Sequence, residues 1–286
     1  RFGKSLTLSM LENYYDINKK DDFETIFGGL YIGKNPTPEH NTYLVIHLNF
    51  AEVDSGLDDY KEGLDTHCRL VFEDFCTRYA ALLPQGTKEE MKSEQGAIAQ
   101  LRFLCQKCAE VKQKIYLFID EYDNFTNMIL SSEEHLERYK GQTHGEGYLR
   151  RFFNTIKGAA NTSLGRIFVT GVSPVTMDDL TSGFNIGTNY SLKPRFNEMT
   201  GFTEEEVRDM LSYYAGVLPF NHTVDELIEI MKPWFDNYCF AINSYGKTTM
   251  YNSIMVLNFV DNYIENDCNI PDKMVEPNIR IDYSKI

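Results

Sequence analysis

Three groups of residues in this 286-residue chain have the types and spacing to do chemistry on a phosphate. The first is Gly3-Lys4-Ser5, followed at once by Leu6 and a helical pattern. A P-loop ends this way. Backbone N–H groups cradle the phosphates, the lysine reaches the β and γ phosphates, and the hydroxyl ligates Mg²⁺. A helix starting at that point adds the positive end of its dipole. Gly3, Lys4, Ser5 and Leu6 are therefore candidate nucleotide-binding residues, with Ser5 also a metal ligand and Lys4 also catalytic. Taken alone, the tripeptide is common enough to be a chance match.

The second group is Asp120-Glu121, at the end of the apolar run "KIYLFID". An Asp at such a strand end holds Mg²⁺ in P-loop enzymes, and an adjacent Glu can polarise the attacking water as a general base. An unpaired buried carboxylate is costly, so two acids at the tip of a buried strand ask for a reason. The bland alternative is that both point into solvent. The third group lies in "FVTGVSPV", where Thr170 and Ser173 could face a γ-phosphate, or where Gly171 and Pro174 simply make a turn. Arg195, in "SLKPRFNEMTGFT", is a candidate to report on hydrolysis, with an interdomain salt bridge as its alternative. Asp123 could orient Glu121 or cap the loop.

The elements that must position these groups follow from periodicity. A helix is predicted over 5–16, with Leu8, Leu11 and Tyr15 on one face and Met10 and Tyr14 beside them. Strands are predicted at 42–50, 114–120 and 166–172. Between the first two lies a long helix carrying Leu57, Tyr60, Leu64, Cys68, Val71, Phe75, Tyr79 and Leu82, then a second over 94–112. A further helix carries Leu149, Phe152, Phe153, Ile156 and Ala160. This alternation argues for an α/β fold, a parallel sheet covered on both faces, with ligands at the carboxyl ends of its strands. Past residue 200 the pattern is helical. Thr203 and Glu206 make a capping box, a helix near 223–232 stops at Pro233, and 252–265 is apolar nearly all round and expected to be buried. The expected domains are 1–200 and 201–286.

Composition narrows the class. The formal charge of −14 disfavours an extended nucleic-acid face, which clusters Lys and Arg. No stretch has the apolar length to cross a bilayer. Six cysteines scattered in a chain of this size read as reduced and cytoplasmic. Cys105 and Cys108 form one C-x-x-C without a second pair, in a helical pattern that turns both thiols to one apolar side. The six histidines are dispersed without metal spacing, and His47 reads as a core residue of its strand.

Taken together, "RFGKSLTLSMLENYY", "LFIDEYDNF", "VTGVSPVTMDDLTSGFN", "NYSLKPRFNEMTGFTEEEV" and "MYNSIMVL" resemble the predicted AAA-like ATPase family, over nearly the whole chain. The resemblance implies a P-loop NTPase three-layer parallel sheet with a C-terminal helical lid, and ATP with Mg²⁺ as its cofactors. It assigns the phosphate and metal roles to Lys4 and Ser5, and the metal and base roles to Asp120 and Glu121. Members carry a longer lead-in before the G-K-S and are commonly followed by a PD-(D/E)xK nuclease-like domain, whose junction "EPNIRIDYSKI" resembles. On that expectation the first strand is truncated here. The expected function is a Mg²⁺-dependent ATPase module regulating that domain; the alternative is a nucleotide-dependent switch or scaffold with little turnover.

Overall fold

In the computed structural model, residues 2–53, 60–124, 147–160, 162–171 and 187–275 are described. The chain divides into two compact units, Leu8–Gly187 and a second made of Arg1–Thr7 with Thr188–Ile286.

The first unit is built on a three-stranded parallel sheet. Its elements in chain order are α1 (Lys4–Tyr15, shared with the second unit), α2 (Phe23–Phe27), α3 (Tyr31–Lys34), β1 (Leu44–Asn49), α4 (Tyr60–Arg78), α5 (Thr87–Ser93), α6 (Gly96–Glu110), β2 (Ile115–Asp120), α7 (Tyr148–Ala159) and β3 (Leu164–Val169). The strands lie in the order β1-β2-β3, with Asn49 opposite Asp120 and Ile119 opposite Val169. All six residues of β2 are buried, as a central parallel strand requires. Alternation splits its side chains between two faces. Leu44, Ile46, Leu48, Ile115, Leu117 and Ile119 join the larger core, with Leu64, Phe72 and Phe75 of α4, Leu101 and Leu104 of α6, and Phe152 and Phe153 of α7. Each large apolar side chain buried there contributes roughly 1.5–3 kcal/mol. The opposite face carries Val45, Tyr116 and Phe118, covered by Leu8, Leu11 and Tyr15 of α1. Tyr14, on another side of α1, packs with Phe23 and Phe27. The sheet is thus covered on both faces.

The two sheet edges differ. The outward N–H of Val45 on β1 donates to the Tyr79 hydroxyl at 2.9 Å, and Arg78 donates to its carbonyl at 3.1 Å. Among the described residues no strand lies beyond β3, whose half-buried Ile167 and Val169 pack against the larger core.

The second unit contains α8 (Glu204–Val217), α9 (Val224–Phe235), the antiparallel pair β4 (Asp236–Tyr238) and β5 (Met250–Tyr251), and α10 (Ser253–Glu265). Capping boxes start α8 at Thr203/Glu206 and α9 at Thr223/Glu226. The core joins Val207 and Leu211 with Leu227, Met231, Phe235, Val256, Phe259 and Tyr263.

Two expectations are corrected. Pro233 lies inside α9 rather than ending it. A proline in the last turn forfeits one backbone bond, and fully buried Phe235 holds the two residues beyond it in the helix. The helix α10 buries only part of its surface: Ile254 is 43% and Leu257 51% exposed. The short β4 and β5 have no counterpart in the sequence reading. Leu57, Ser173, Pro174 and the segment "EPNIRIDYSKI" lie outside the described residues.

Candidate active site

The apolar run of β2 delivers Asp120 to the carboxyl edge of the sheet, 4% exposed. Its charge is met by two donors on one oxygen. The Thr170 hydroxyl donates to Asp120 Oδ1 across the β2/β3 junction, and the Glu121 N–H donates to the same atom at 2.9 Å. Backbone bonds lock the junction: Thr170 N–H to the Ile119 carbonyl at 2.8 Å, and Tyr122 N–H to the Thr170 carbonyl at 3.1 Å. Asn124 extends the tie to the end of β1, donating to the Phe50 carbonyl at 3.2 Å.

Glu121 occupies the left-handed region at φ +49°. A non-glycine residue there is strained by roughly 1–2 kcal/mol, and such residues collect at functional sites. The strain turns the chain sharply, so Glu121 is half-buried while Tyr122 and Asp123 on its far side are buried, Asp123 completely. Gly171 makes this turn possible. A Cβ at Gly171 would lie 2.5 Å from Asp123 Oδ1, and closer still to the Tyr122 ring. From sequence Gly171 reads only as a turn residue, and its place directly after a candidate sensor is the signal for this second role.

On the α1 face of the sheet, His47 Nδ1 pairs with Glu12 Oε1 at 2.5 Å, so His47 is an ion-pair partner within its strand. Burial alone would lower the His47 imidazole. The bond to Glu12 and the charges of Glu12, Asp120 and Glu52 outweigh it and raise its pKa above the usual histidine value.

The Gly3-Lys4-Ser5 signature belongs to the second unit. Gly3 sits at φ +88°, and its carbonyl accepts the Thr7 N–H at 2.9 Å and the Thr7 hydroxyl at 3.1 Å, opening α1. The first N–H groups of a helix have no acceptor within it. The first turn of α1 contains no acidic residue to compete for an anion. Lys4 is half-buried; Ser5 and Leu6 are exposed. Phe2 packs edge-on against Tyr238 and Phe240, 4.3 and 5.2 Å between ring centres.

Arg195 lies in this same unit, exposed, its guanidinium 4.7 Å from the centre of the Phe196 ring and 5.6 Å from that of Tyr190. Among the described residues it makes no ion pair. Two residues further on, buried Asn197 accepts the N–H groups of Phe240 and Ala241, both at 3.0 Å. The segment of Arg195 and the seat of Phe2 are therefore joined within one unit. Asp120, Glu121 and Thr170 form a single hydrogen-bonded turn in the other.

The donor set suits a hard cation. With Asp120 Oδ1 taken by two donors, Oδ2 is the oxygen left for a metal, and Mg²⁺ favours few carboxylates together with phosphate and water. Cys105 and Cys108 are buried free thiols, raised by burial, Cys105 to about 11. No cluster of three His, Cys, Asp or Glu side chains among the described residues could hold a metal. Among the described residues no helix is long and apolar enough to cross a membrane.

A family model described as AAA-ATPase_like, Predicted AAA-ATPase, matches residues 1–181. No curated protein and no solved structure matches the chain.

Proposed function

Because the chain belongs to the predicted AAA-ATPase family, we propose that it is an ATP-binding, Mg²⁺-dependent module that hydrolyses the γ-phosphate bond of ATP. The observation that carries this reading is the Asp120–Thr170–Glu121 turn, where a buried carboxylate is held by two donors beside a strained glutamate. In this reading Gly3, Ser5 and Leu6 bind phosphate oxygens through their amides, and Lys4 neutralises charge that develops on the leaving phosphate. Glu121 accepts a proton from the attacking water, and Thr170 holds Asp120 and faces the phosphate. Arg195 responds to the γ-phosphate. A bound Mg²⁺ supplies charge neutralisation at the phosphate oxygens, and Asp120 and Ser5 would hold it. The domains of this reading are a P-loop core over 1–200 and a helical lid over 201–286. The resemblance to the family supports a nuclease-like domain as what the cycle regulates.

The test is a pair of variants. Lys4→Ala abolishes ATP binding. Glu121→Gln retains binding and lowers hydrolysis by roughly 10²–10⁴-fold, the usual worth of a general base. Unchanged turnover in Glu121→Gln removes the base assignment. A second reading, a switch with little turnover, is favoured by the hydrogen bond from Gly201 to Phe2, which ties the signature to the segment that opens α8. Single-turnover hydrolysis followed by retained ADP would select it.

A further inference from the structure

Gly201 sits at φ +89° in the segment "MTGFT", and no chemistry has been assigned to it. Its N–H donates to the Phe2 carbonyl at 2.8 Å. The next residue fixes it from behind: Phe202 and Tyr251 exchange both backbone bonds, at 3.0 and 2.7 Å, and Thr203 then caps α8. The space is closed as well. A Cβ at Gly201 would lie 2.9 Å from the Tyr251 carbonyl oxygen, 3.2 Å from Phe2 Cδ1 and 3.3 Å from Met250 Cβ. Position 201 therefore needs glycine for its dihedral and for its room.

The bond has a directional consequence for the signature. No peptide among the described residues is cis, and in a trans peptide the carbonyl of one residue and the N–H of the next point in opposite directions. With the Phe2 carbonyl held toward Gly201, the Gly3 N–H is turned to the other side. Gly3 is left-handed and Lys4 begins a right-handed helix. A left-handed residue beside a right-handed one makes successive N–H groups converge into a nest for anions. The ring of Phe2, wedged edge-on against Tyr238 and Phe240, resists rotation of the same peptide.

We infer that Gly201 is the positioning residue of the phosphate nest: by clamping the Phe2 carbonyl it aims the Gly3 amide at the phosphate without touching the nucleotide. This rests on the phosphate-binding reading of Gly3 to Ser5. Amide hydrogen exchange on the wild-type chain, with and without Mg²⁺ and a slowly hydrolysed ATP analogue, tests it directly. The Gly201 amide is expected to be protected in both states, and the Gly3 amide only with nucleotide. The companion variant Gly201→Ala is expected to raise the ATP dissociation constant by at least about tenfold. Its effect on KM exceeds that on kcat, a split that a merely structural role would not produce.

A Gly201 amide that exchanges freely overturns the inference, as does a folded Gly201→Ala that binds ATP as tightly as wild type. If Gly201→Ala does not fold, the wild-type exchange pattern decides. Absence of ATP binding by the wild type overturns the phosphate reading and the inference together. Wild-type ATP binding that a folded Gly201→Ala retains in full overturns the inference alone, so the two failures are told apart.

Discussion

The acidic turn and the Gly3-Lys4-Ser5 signature are built in opposite ways. At the turn, side-chain identity does the work: Asp120 receives a hydroxyl and an amide, Glu121 accepts a strained backbone, and neighbouring parallel strands supply all the parts. At the signature the backbone does the work. Gly3 is held through the carbonyl before it by an amide that lies nearly two hundred residues later in the chain. The difference teaches that a carboxylate can be anchored locally by a sheet, whereas the direction of a backbone amide can depend on a remote residue, here one that must carry no side chain at all.

That contrast can be broken from either side. The largest effect on the acidic turn is expected from Gly171→Ala, whose methyl group would drive into Tyr122 and Asp123. Overpacking of this kind costs about 1–3 kcal/mol, read as a lowered urea midpoint together with lost hydrolysis. Thr170→Val keeps the shape but removes one donor from Asp120, for a loss of roughly 1 kcal/mol measured by the same melts. Glu121→Gly acts in the reverse direction. It relieves the left-handed strain and is expected to raise stability by up to about 1 kcal/mol while abolishing turnover. A destabilised Glu121→Gly would remove the claim that the turn stores strain.

The smallest effect concerns the sheet face shared with α1. The folded pKa of His47 is raised, so its contribution to stability is complete below the unfolded value of about 6.5 and fades as pH rises through the folded one. The difference in melting temperature between wild type and His47→Gln is expected to shrink from about pH 6 to about pH 8. A constant difference would show that the Glu12 pair does not titrate in that window.

The same contrast explains what was legible in the sequence. Asp120 and Glu121 stand out because five apolar residues, Ile115 to Ile119, lead to them, and Thr170 follows from the next apolar run; both signals are local. Gly201 reads as an ordinary residue before a capping box, since its acceptor lies at the other end of the chain. Pro233 misleads because its cost depends on how many turns follow, which the buried ring of Phe235 decides. The apolar residues of α10 carry no mark of which ones its neighbours cover, so Ile254 and Leu257 could not be told from Val256 and Phe259. The strands β4 and β5, of three and two residues, are too short for any alternation to register.

Cys239 offers a practical handle. Five of the six thiols are buried, and burial holds Cys76 and Cys105 up near 11 and Cys68 and Cys108 well above their usual values. Cys239 alone is partly accessible, and its chain neighbours Tyr238 and Phe240 are the two rings that grip Phe2. A maleimide dye added to the unmutated chain near neutral pH is therefore expected to label one place, beside the rings that hold Phe2, and a change in its emission on adding ATP with Mg²⁺ would test the proposed nucleotide site.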